Sequence, residues 1–500
     1  MSRVSQSLDR VQVTFDDDNL VANAGLLLPA TLAGRLGLES LINTTVRLDG
    51  RVGGASPGRK VLTLMNTMLA GGSHIDHADM LRAGATQQVV SHRVMAPSTL
   101  GTFLRSFTFG HVRQLEAVND IVRQRAWAAG VAPGALVIDV DSTICEVVGK
   151  TKQGAGYGYT HALGYHPLLA SIAGTGEILH GRLRKGSANT QRGTKRFVNE
   201  LVARARRDDP HRKLTARFDS GFWNNDTIVN LNRLDARYTM AIRTNVGAVQ
   251  TAIATITEGA WQRIDYTCDG EAEVAECAYT SGQGAKRVTR RLIVRRTRLT
   301  GKAQQTLWPD WRHHAFLTDL DGDVVEVDRF HREHATVELA IKDLKAGAGL
   351  EHLPSGVFSA NSAWFQIAIL AHNMCRWTAR LGGHDTDRLI VARTIRTRLL
   401  ALPGRLVNRA GKPTLRLPTR CLGRRRSPRS LKRSARSNPC PPERISRSGV
   451  PQNRPSATNT QPAQTGFATP HRPPDSPQAA DATRAALFSR SPKPSRWIQG

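Results

Sequence analysis

Cysteine is scarce in this chain of 500 residues and follows no regular spacing. The six cysteines include no Cys-x-x-Cys pair: Cys145, Cys268, Cys277, Cys375, Cys421 and Cys440. Zinc ribbons and disulfide-stapled secreted scaffolds depend on closely spaced or paired cysteines, so both classes are excluded. Scattered cysteines instead predict a protein of a reducing compartment, the cytoplasm.

Long apolar runs are also missing. The opening residues, MSRVSQSLDRVQVTFDDDN, lack the apolar core of a signal sequence. The longest apolar stretch, AWFQIAILAHNMC, is shorter than the roughly 20 residues that a membrane-spanning helix needs. We therefore expect a soluble protein without a membrane partner, and its length allows two or three domains.

Acidic residues are outnumbered by basic ones. The chain has 70 Lys+Arg against 41 Asp+Glu, a formal net charge of +29. Residues 421–500 contain 15 Lys/Arg and 3 Asp/Glu, which accounts for +12 of that total and leaves +17 for residues 1–420. Because the body of the chain is itself basic, the composition predicts a polyanionic partner such as nucleic acid.

The residue pattern changes along the chain and predicts a series of segments. Residues 1–130 show helical apolar spacing and are interpreted as a helical N-terminal DNA-binding domain, with a plain helical subdomain covering the core as the alternative. Residues 131–243 predict three strands, a helix, a strand, a helix and a strand. Residues 244–328 are rich in predicted strands, from WQRIDYTCDG through HHAFLTDL to DVVEVDRF, and residues 329–400 return to helix.

The last segment, residues 421–500, differs in composition. It contains 13 of the 24 prolines, is rich in Ser and Arg, and has almost no apolar periodicity. This composition predicts a disordered basic tail. The tail is either a native arm that strengthens DNA binding or a stretch translated from a shifted reading frame.

Three acidic residues stand in unlike settings. Asp141 ends the apolar strand ALVIDVDST, Asp219 ends the strand LTARFDSGF, and Glu338 lies in the helical segment HREHATVELAIKDLK. Mg²⁺ prefers carboxylate oxygens, and two such ions about 3.5 to 4 Å apart serve phosphoryl transfer. The three acids are therefore predicted to be catalytic and metal-binding. Asp139 shares a strand face with Asp141 and is the alternative first acid.

The helix of Glu338 carries further polar residues on the same face. At about 100° per residue, His331, His334, Glu338 and Lys345 fall within a narrow arc. A carboxylate flanked by cationic or hydrogen-bonding side chains suits a metal ion beside a phosphate. The alternative is a transition-metal site in which His331, His334 and Glu338 bind zinc.

These motifs resemble those of the DDE transposases of bacterial insertion sequences. In that family the helix of the third acid carries Tyr, two residues, Arg, three residues, Glu, six residues and Lys. Glu338 and Lys345 match this pattern, whereas His331 and His334 replace the Tyr and the Arg. VDST at Asp141 and RFDSGF at Asp219 look like the first two acid motifs, and the resemblance covers about residues 10–420.

The resemblance implies an α/β fold, with a ribonuclease-H-like mixed sheet flanked by helices, a helical N-terminal domain and a β-rich insertion. It implies cleavage and strand transfer of double-stranded DNA at terminal inverted repeats, with two Mg²⁺ ions, which Mn²⁺ can replace, and a homodimer in the synaptic complex. The expected location is the nucleoid in the cytoplasm. A ribonuclease-H-like nuclease without strand transfer and an inactive DNA-binding relic are the alternatives.

The resemblance also implies roles for individual side chains near the DNA. Lys345 and His334, and His331 beside them, would steady phosphates. Trp308 or Trp311 would stack on a flipped base, with packing in the core as the alternative for both. A further group of basic residues is expected to contact phosphates only collectively: Lys185, Arg192, Lys195, Arg290, Arg291, Arg295 and Arg296.

Overall fold

The computed structural model describes residues 12–158, 160–266, 270–284, 287–299, 311–384 and 389–419. The predicted tail 421–500 and Trp308 lie outside these ranges. The helices are α1 (Leu27–Arg35), α2 (Leu38–Thr45), α3 (Pro57–Leu69), α4 (Thr86–Val89), α5 (Pro97–Arg105), α6 (Phe109–Ala126), α7 (Thr194–Ala205), α8 (Asn225–Arg233), α9 (Gly247–Ala254), α10 (Val324–Arg332), α11 (Thr336–Gly347), α12 (Phe358–Leu381) and α13 (Ala392–Ile395).

Within the described ranges, the strands form one large sheet and two small ones. They are β1 (Leu20–Val21), β2 (Leu136–Ser142), β3 (Cys145–Glu146), β4 (Gly156–Tyr157), β5 (Leu163–Tyr165), β6 (Leu168–Ile172), β7 (Ile178–Arg182), β8 (Leu214–Phe218), β9 (Arg237–Ile242), β10 (Gln262–Ile264), β11 (Gly270–Ser281), β12 (Val288–Leu299), β13 (Arg312–Thr318), β14 (Gly404–Arg409) and β15 (Lys412–Arg416). The large sheet has the order β10-β11-β12-β13-β9-β8-β2-β6-β7.

The core of the large sheet has a ribonuclease-H-like topology. Strands β2, β6 and β7 are antiparallel neighbours, and β8 and β9 continue the sheet on the other side of β2 as parallel strands. Helix α7 lies between β7 and β8 in the chain, and α8 lies between β8 and β9. The predicted order of strands and helices and the predicted fold class are therefore confirmed. A near-continuous apolar strand such as β2 suits this central position, since both of its faces are covered.

The β-rich segment extends the same sheet. Strand β13 pairs antiparallel with β9, and β12, β11 and β10 follow in a continuous antiparallel ladder. Its strands are thus hydrogen-bonded to the core sheet along the side formed by β9, the last of the parallel strands. The domain boundaries at 130, 243 and 328 stay predictions.

The predicted strand DVVEVDRF is wrong, because Val324–Arg332 forms helix α10. Asp323 caps this helix: its side chain accepts hydrogen bonds from the backbone N–H groups of Val325 (2.9 Å) and Glu326 (3.3 Å). Val324, Val327 and Asp328 are the buried residues, which is helical spacing. The apparent alternation of Val and acidic residues misled the prediction, since an N-cap aspartate just before it favours a helix.

This cap gives a first prediction. Two backbone N–H groups in the first turn of α10 have no acceptor within the helix, and Asp323→Ala removes the side chain that accepts their hydrogen bonds. We therefore expect the free energy of unfolding to fall by about 1 kcal/mol. Urea denaturation of the two proteins measures the difference. Asp321→Ala is the control, because Asp321 is exposed and caps no helix, and it should change stability much less. Equal losses in both variants would contradict the assigned cap.

Helix α12 joins the N-terminal helices to the sheet. Every residue from Ala360 to Ala379 is buried, and the helix packs against α1, α3, α5 and α6 on one side and β7 on another. One hydrophobic cluster accordingly runs from Val21 to Leu400. The predicted helical character of the N-terminal segment is confirmed, and its helices share a core with the sheet.

A small sheet that the sequence did not predict follows the first-acid strand. It has the order β3-β5-β4, and it lies between β2 and β6 in the chain. Glycines allow its close packing: a Cβ on Gly186 would lie 2.0 Å from the carbonyl oxygen of Gly164 and 2.3 Å from that of Gly156. The second small sheet has the order β1-β14-β15.

No single helix in the described ranges is long and apolar enough to cross a membrane. The segments Ala24–Arg35 and Leu38–Thr45 together meet the length and hydropathy of a span, but they are bent by 54°.

Candidate active site

The register of the sheet brings the first two acids together. Parallel strands β2 and β8 pair Asp139 with Arg217 and Val140 with Phe218, so the next position along both strands is Asp141 beside Asp219. Alternation along a strand places Asp139 and Asp141 on one face of β2, and Arg217 lies across from Asp139 on that face. Two carboxylates thus meet where adjacent strands end.

The carboxylate of Asp139 forms a buried ion pair with Arg217. Its Oδ1 and Oδ2 accept hydrogen bonds from Arg217 Nε (2.6 Å) and Nη2 (2.9 Å), and both side chains are 1% exposed. His334 Nδ1 lies 2.8 Å from Asp139 Oδ1. Arg217 Nη1 also donates to the carbonyl oxygen of Phe330 at 2.6 Å, and the guanidinium stacks over the Phe330 ring. The network ties β2 and β8 to the end of α10.

Asp141 has a different environment, partly buried and close to like charges. Burial raises its pKa, and the carboxylates of Asp219 and Glu338 raise it further, whereas the N–H of Ser142 (2.6 Å) and His334 lower it. Asp219 and Glu338 therefore both act electrostatically on Asp141. No cation forms an ion pair with Asp141 in the part of the chain that the structure describes.

Asp219 and Glu338 are both exposed. Asp219 follows β8 and accepts a hydrogen bond from the N–H of Ser220, which begins a short 3-10 turn. Glu338 lies in the first turn of α11 and makes no hydrogen bond or ion pair with any described residue. Helix α11 packs across β2 and β6, which brings Glu338 toward the strand ends from outside the sheet.

The predicted continuous helix around Glu338 is interrupted. Helix α10 ends at Arg332, a 3-10 turn covers Glu333–Ala335, and α11 begins at Thr336. The tighter turn changes the helical phase, so His331 does not accompany Glu338. Its ring stacks on Phe316 at 4.1 Å between centroids, and its Nδ1 lies 2.7 Å from Thr239 Oγ1.

The electrostatics of His331 follow from this position. Burial of the ring and the nearby cationic groups lower the pKa of His331 to about 3, so the imidazole is neutral at neutral pH. His334 turns the other way and bonds Asp139. The two rings remain neighbours, 6.3 Å apart between centroids, but they have different hydrogen-bond partners: Thr239 for His331 and Asp139 for His334.

Lys345 lies at the far end of α11. Its Nζ donates a 3.0 Å hydrogen bond to the carbonyl oxygen of Ile144, three residues beyond Asp141. The ammonium group thereby fastens the helix of the third acid to the chain that leaves the first-acid strand. It remains partly exposed, with its charge unpaired among the described residues.

The described side chains, as they stand, do not form a closed metal site. Among them, no three carboxylate, imidazole or thiolate groups lie close enough to hold an ion. The zinc alternative is not supported, because the 3-10 turn at Glu333–Ala335 leaves His331 stacked on Phe316, and His331, His334 and Glu338 do not converge. The carboxylates, in contrast, suit a hard divalent cation. Asp141 and Asp219 each accept a hydrogen bond only from the backbone N–H of the next residue, and a cation would relieve the repulsion between the two carboxylates.

The arginines of strand β12 are engaged with protein partners. Arg290 donates to the Tyr238 hydroxyl, Arg291 pairs with Glu276, Arg295 pairs with Asp328, and Arg296 pairs with Glu258 and Glu273. Of the two candidate tryptophans, only Trp311 is described. It is partly buried between two guanidinium groups, 4.5 Å from Arg296 and 4.4 Å from Arg298, so it does not lie in the hydrophobic core.

The residue that sequence reasoning missed is Arg217. The signal was present, since alternation along LTARFDS places Arg217 and Asp219 on one face, as it places Asp139 and Asp141 on the other strand. The register of the parallel strands β2 and β8 then places this arginine opposite Asp139. That pairing distinguishes the environment of Asp139 from that of Asp141.

A mixed sheet with this strand order, with two aspartates at neighbouring strand ends, defines an α/β protein of the ribonuclease-H-like class. Residues 4–437 match the family model described as transposase DDE domain group 1, and the chain belongs to that family.

No curated protein matches the chain. Among solved structures, the chain is similar to the cryo-EM structure of a piggyBac transposase synaptic complex with hairpin DNA. The similarity covers 76% of this chain and 79% of that chain, with 11% sequence identity and a TM-score of 0.42.

Proposed function

We propose that this protein is the transposase of a bacterial insertion sequence, which cleaves DNA at the terminal inverted repeats of its element and joins the freed end to a target. Membership of the DDE transposase family supports a DNA-cleaving enzyme. The observation that carries the proposal is the register of β2 and β8, which sets Asp141 beside Asp219, with Glu338 close enough to raise the pKa of Asp141.

In this proposal Asp141, Asp219 and Glu338 bind two Mg²⁺ ions, and Asp139 does not. Both oxygens of Asp139 accept hydrogen bonds from Arg217, and a metal ion on Asp139 would take from this buried guanidinium its only bidentate partner among the described residues. Asp219 and Glu338 are exposed, so their side chains can turn toward Asp141 at little cost. Two bound ions would activate the attacking water or 3′-hydroxyl and stabilise the leaving oxygen, and Mn²⁺ would substitute.

The neighbouring basic and imidazole groups would orient the DNA. Lys345 is held beside the first-acid strand, where its ammonium can meet a phosphate next to the scissile bond. His334 is fixed by Asp139, which aims the ring at the same region. His331 borders the space next to Asp219. The helices of residues 1–130 would contribute to binding the repeat, and synapsis of two ends would require a homodimer.

The test is an assay of paired element ends with target DNA, taken from the DNA that flanks the coding region. We expect nicked and joined products in Mg²⁺ or Mn²⁺, and neither in EDTA. Nicking without a joined product would instead identify a ribonuclease-H-like nuclease. Binding of the repeat without cleavage in any divalent metal would identify a DNA-binding relic.

A further inference from the structure

A polar cleft opens directly beside the second acid. It has a volume of about 300 Å³, and Asp219 and Ser220 form one wall. The opposite wall comes from the residues that follow β9 and from strands β12 and β13 and helix α10, with these polar side chains: Arg243, Thr244, Arg295, His313, His314, Asp328 and His331. The cleft therefore connects the proposed metal site to the β-rich extension of the sheet.

A second cavity adjoins the first. Its volume is about 530 Å³, and it shares Thr244 and His313 with the cleft. Its remaining wall includes Trp261 and Arg296, whose guanidinium lies 4.3 Å from the indole ring. Alternation along β12 and β13 points Arg296 and His313 to the face of the sheet opposite Arg295 and His314, so the two cavities adjoin at the ends of β9 and β13.

The charge of the cleft is positive on the side facing Asp219. Arg243 is exposed and makes no hydrogen bond or ion pair with any residue in the described ranges. Asp328 is buried and already shared by two arginines, Arg295 at 3.1 Å and Arg332 at 2.8 Å. Arg295 also has a buried Nε with no hydrogen-bond partner among the described residues. Arg332 does not line the cleft, so the side facing Asp219 has one carboxylate, Asp328, and two guanidinium groups, Arg243 and Arg295.

The imidazoles of the cleft add donors without adding charge. Burial and the neighbouring arginines lower the pKa values of His313, His314 and His331, so all three rings are neutral at neutral pH. A neutral imidazole offers one N–H to an oxygen ligand. An unpaired arginine surrounded by such donors suits a phosphate group, for which the guanidinium is the favoured partner.

We propose that this cleft binds a backbone phosphodiester of the DNA strand, adjacent to the bond at the acids, with Arg243 as the principal contact and His314 and Arg295 beside it. The inference rests on the proposed function for the identity of the ligand, since a DNA strand that reaches Asp219 must pass this wall. By holding the adjacent phosphate of the strand, Arg243 positions the scissile phosphate.

The salt dependence of DNA binding tests this contact. Each phosphate contact contributes about 0.9 to the slope of log K against log salt concentration, because binding releases a counterion. For the full chain and a fluorescent duplex, we expect Arg243→Gln to lower that slope by about 1 and to weaken binding about fivefold at 0.1 M salt. Arg243→Lys should keep the slope, since the charge remains.

Arg409→Gln is the matched control. Arg409 is exposed, ends β14 in the separate β1-β14-β15 sheet, and loses the same charge. A slope that changes equally in Arg243→Gln and Arg409→Gln, or in neither, would overturn the cleft assignment. Because the readout is binding, it is independent of cleavage: an unchanged slope with normal strand transfer rejects only the cleft, and a lowered slope without cleavage in any metal rejects only the transposase.

Discussion

Asp141→Asn, Asp219→Asn and Glu338→Gln should each lower the rate of DNA cleavage at least about a thousandfold, which corresponds to about 4 kcal/mol of lost transition-state stabilisation. An amide keeps the size of the carboxylate but loses the negative charge that holds a divalent ion. DNA binding should stay near the wild-type level, because the basic surface is unchanged. Cleavage of an element end in Mg²⁺, measured beside binding, gives both quantities.

One of these variants, Asp141→Asn, also gives a prediction about stability. The pKa of Asp141 is raised in the folded protein, so its ionised form is less favourable there than in the unfolded chain, and ionisation at neutral pH opposes folding. Asp141→Asn removes that cost. We therefore expect its thermal unfolding midpoint to equal or exceed that of the wild type, as is common where a functional site trades stability for chemistry.

Glu326→Gln serves as the control for the acid variants. Glu326 is exposed in the first turn of α10, lies in the same region of the chain as Glu338, and makes no ion pair with the described residues. Its substitution should leave cleavage unchanged. Full activity in any of the three acid variants would remove that residue from the proposed site, and a loss in Glu326→Gln as large as theirs would show that the assay reports charge alone.

The acids could be predicted from the sequence because their positions depend on local rules. An apolar strand that ends in an aspartate keeps that aspartate at the sheet edge, and alternation fixes its face, so Asp141 and Asp219 needed only the parallel order of β2 and β8 to meet. That order followed from the helix between consecutive strands. The distinction between Asp139 and Asp141 needed the register itself, since only a specific pairing brings Arg217 to Asp139.

The histidines show where local rules fail. A periodicity of 100° per residue assumes an unbroken α-helix, and the 3-10 turn at Glu333–Ala335 violates that assumption. The consequence is large, because His331 stacks on Phe316 in the β-rich extension while His334 bonds Asp139 in the core strand. Both partners are distant in sequence, so tertiary packing determines where each ring lies.

The small sheet β3-β5-β4 was also not predicted. Its strands are only two or three residues long, which is too short for a residue pattern to indicate a strand.

Asp139→Asn should destabilise the protein by about 3 to 5 kcal/mol, the cost of removing one partner of a buried ion pair. Arg217 is 1% exposed and has Asp139 as its bidentate partner, so the amide leaves its guanidinium only the exposed carboxylate of Glu333, at 3.4 Å. Urea denaturation measures the loss. Asp79→Asn is the matched control, because Asp79 pairs with Arg82 at 2.7 Å on the surface, and it should cost less than about 1 kcal/mol.

A double-mutant cycle separates the pair from its surroundings. Asp139→Asn combined with Arg217→Gln removes both charges, so the double variant should be more stable than the sum of the single losses predicts, by about 2 kcal/mol. The activity of Asp139→Asn should follow its folded fraction, and more Mg²⁺ should not restore it. A stable Asp139→Asn protein with abolished cleavage would show the reverse, that Asp139 is the first acid and Asp141 is not.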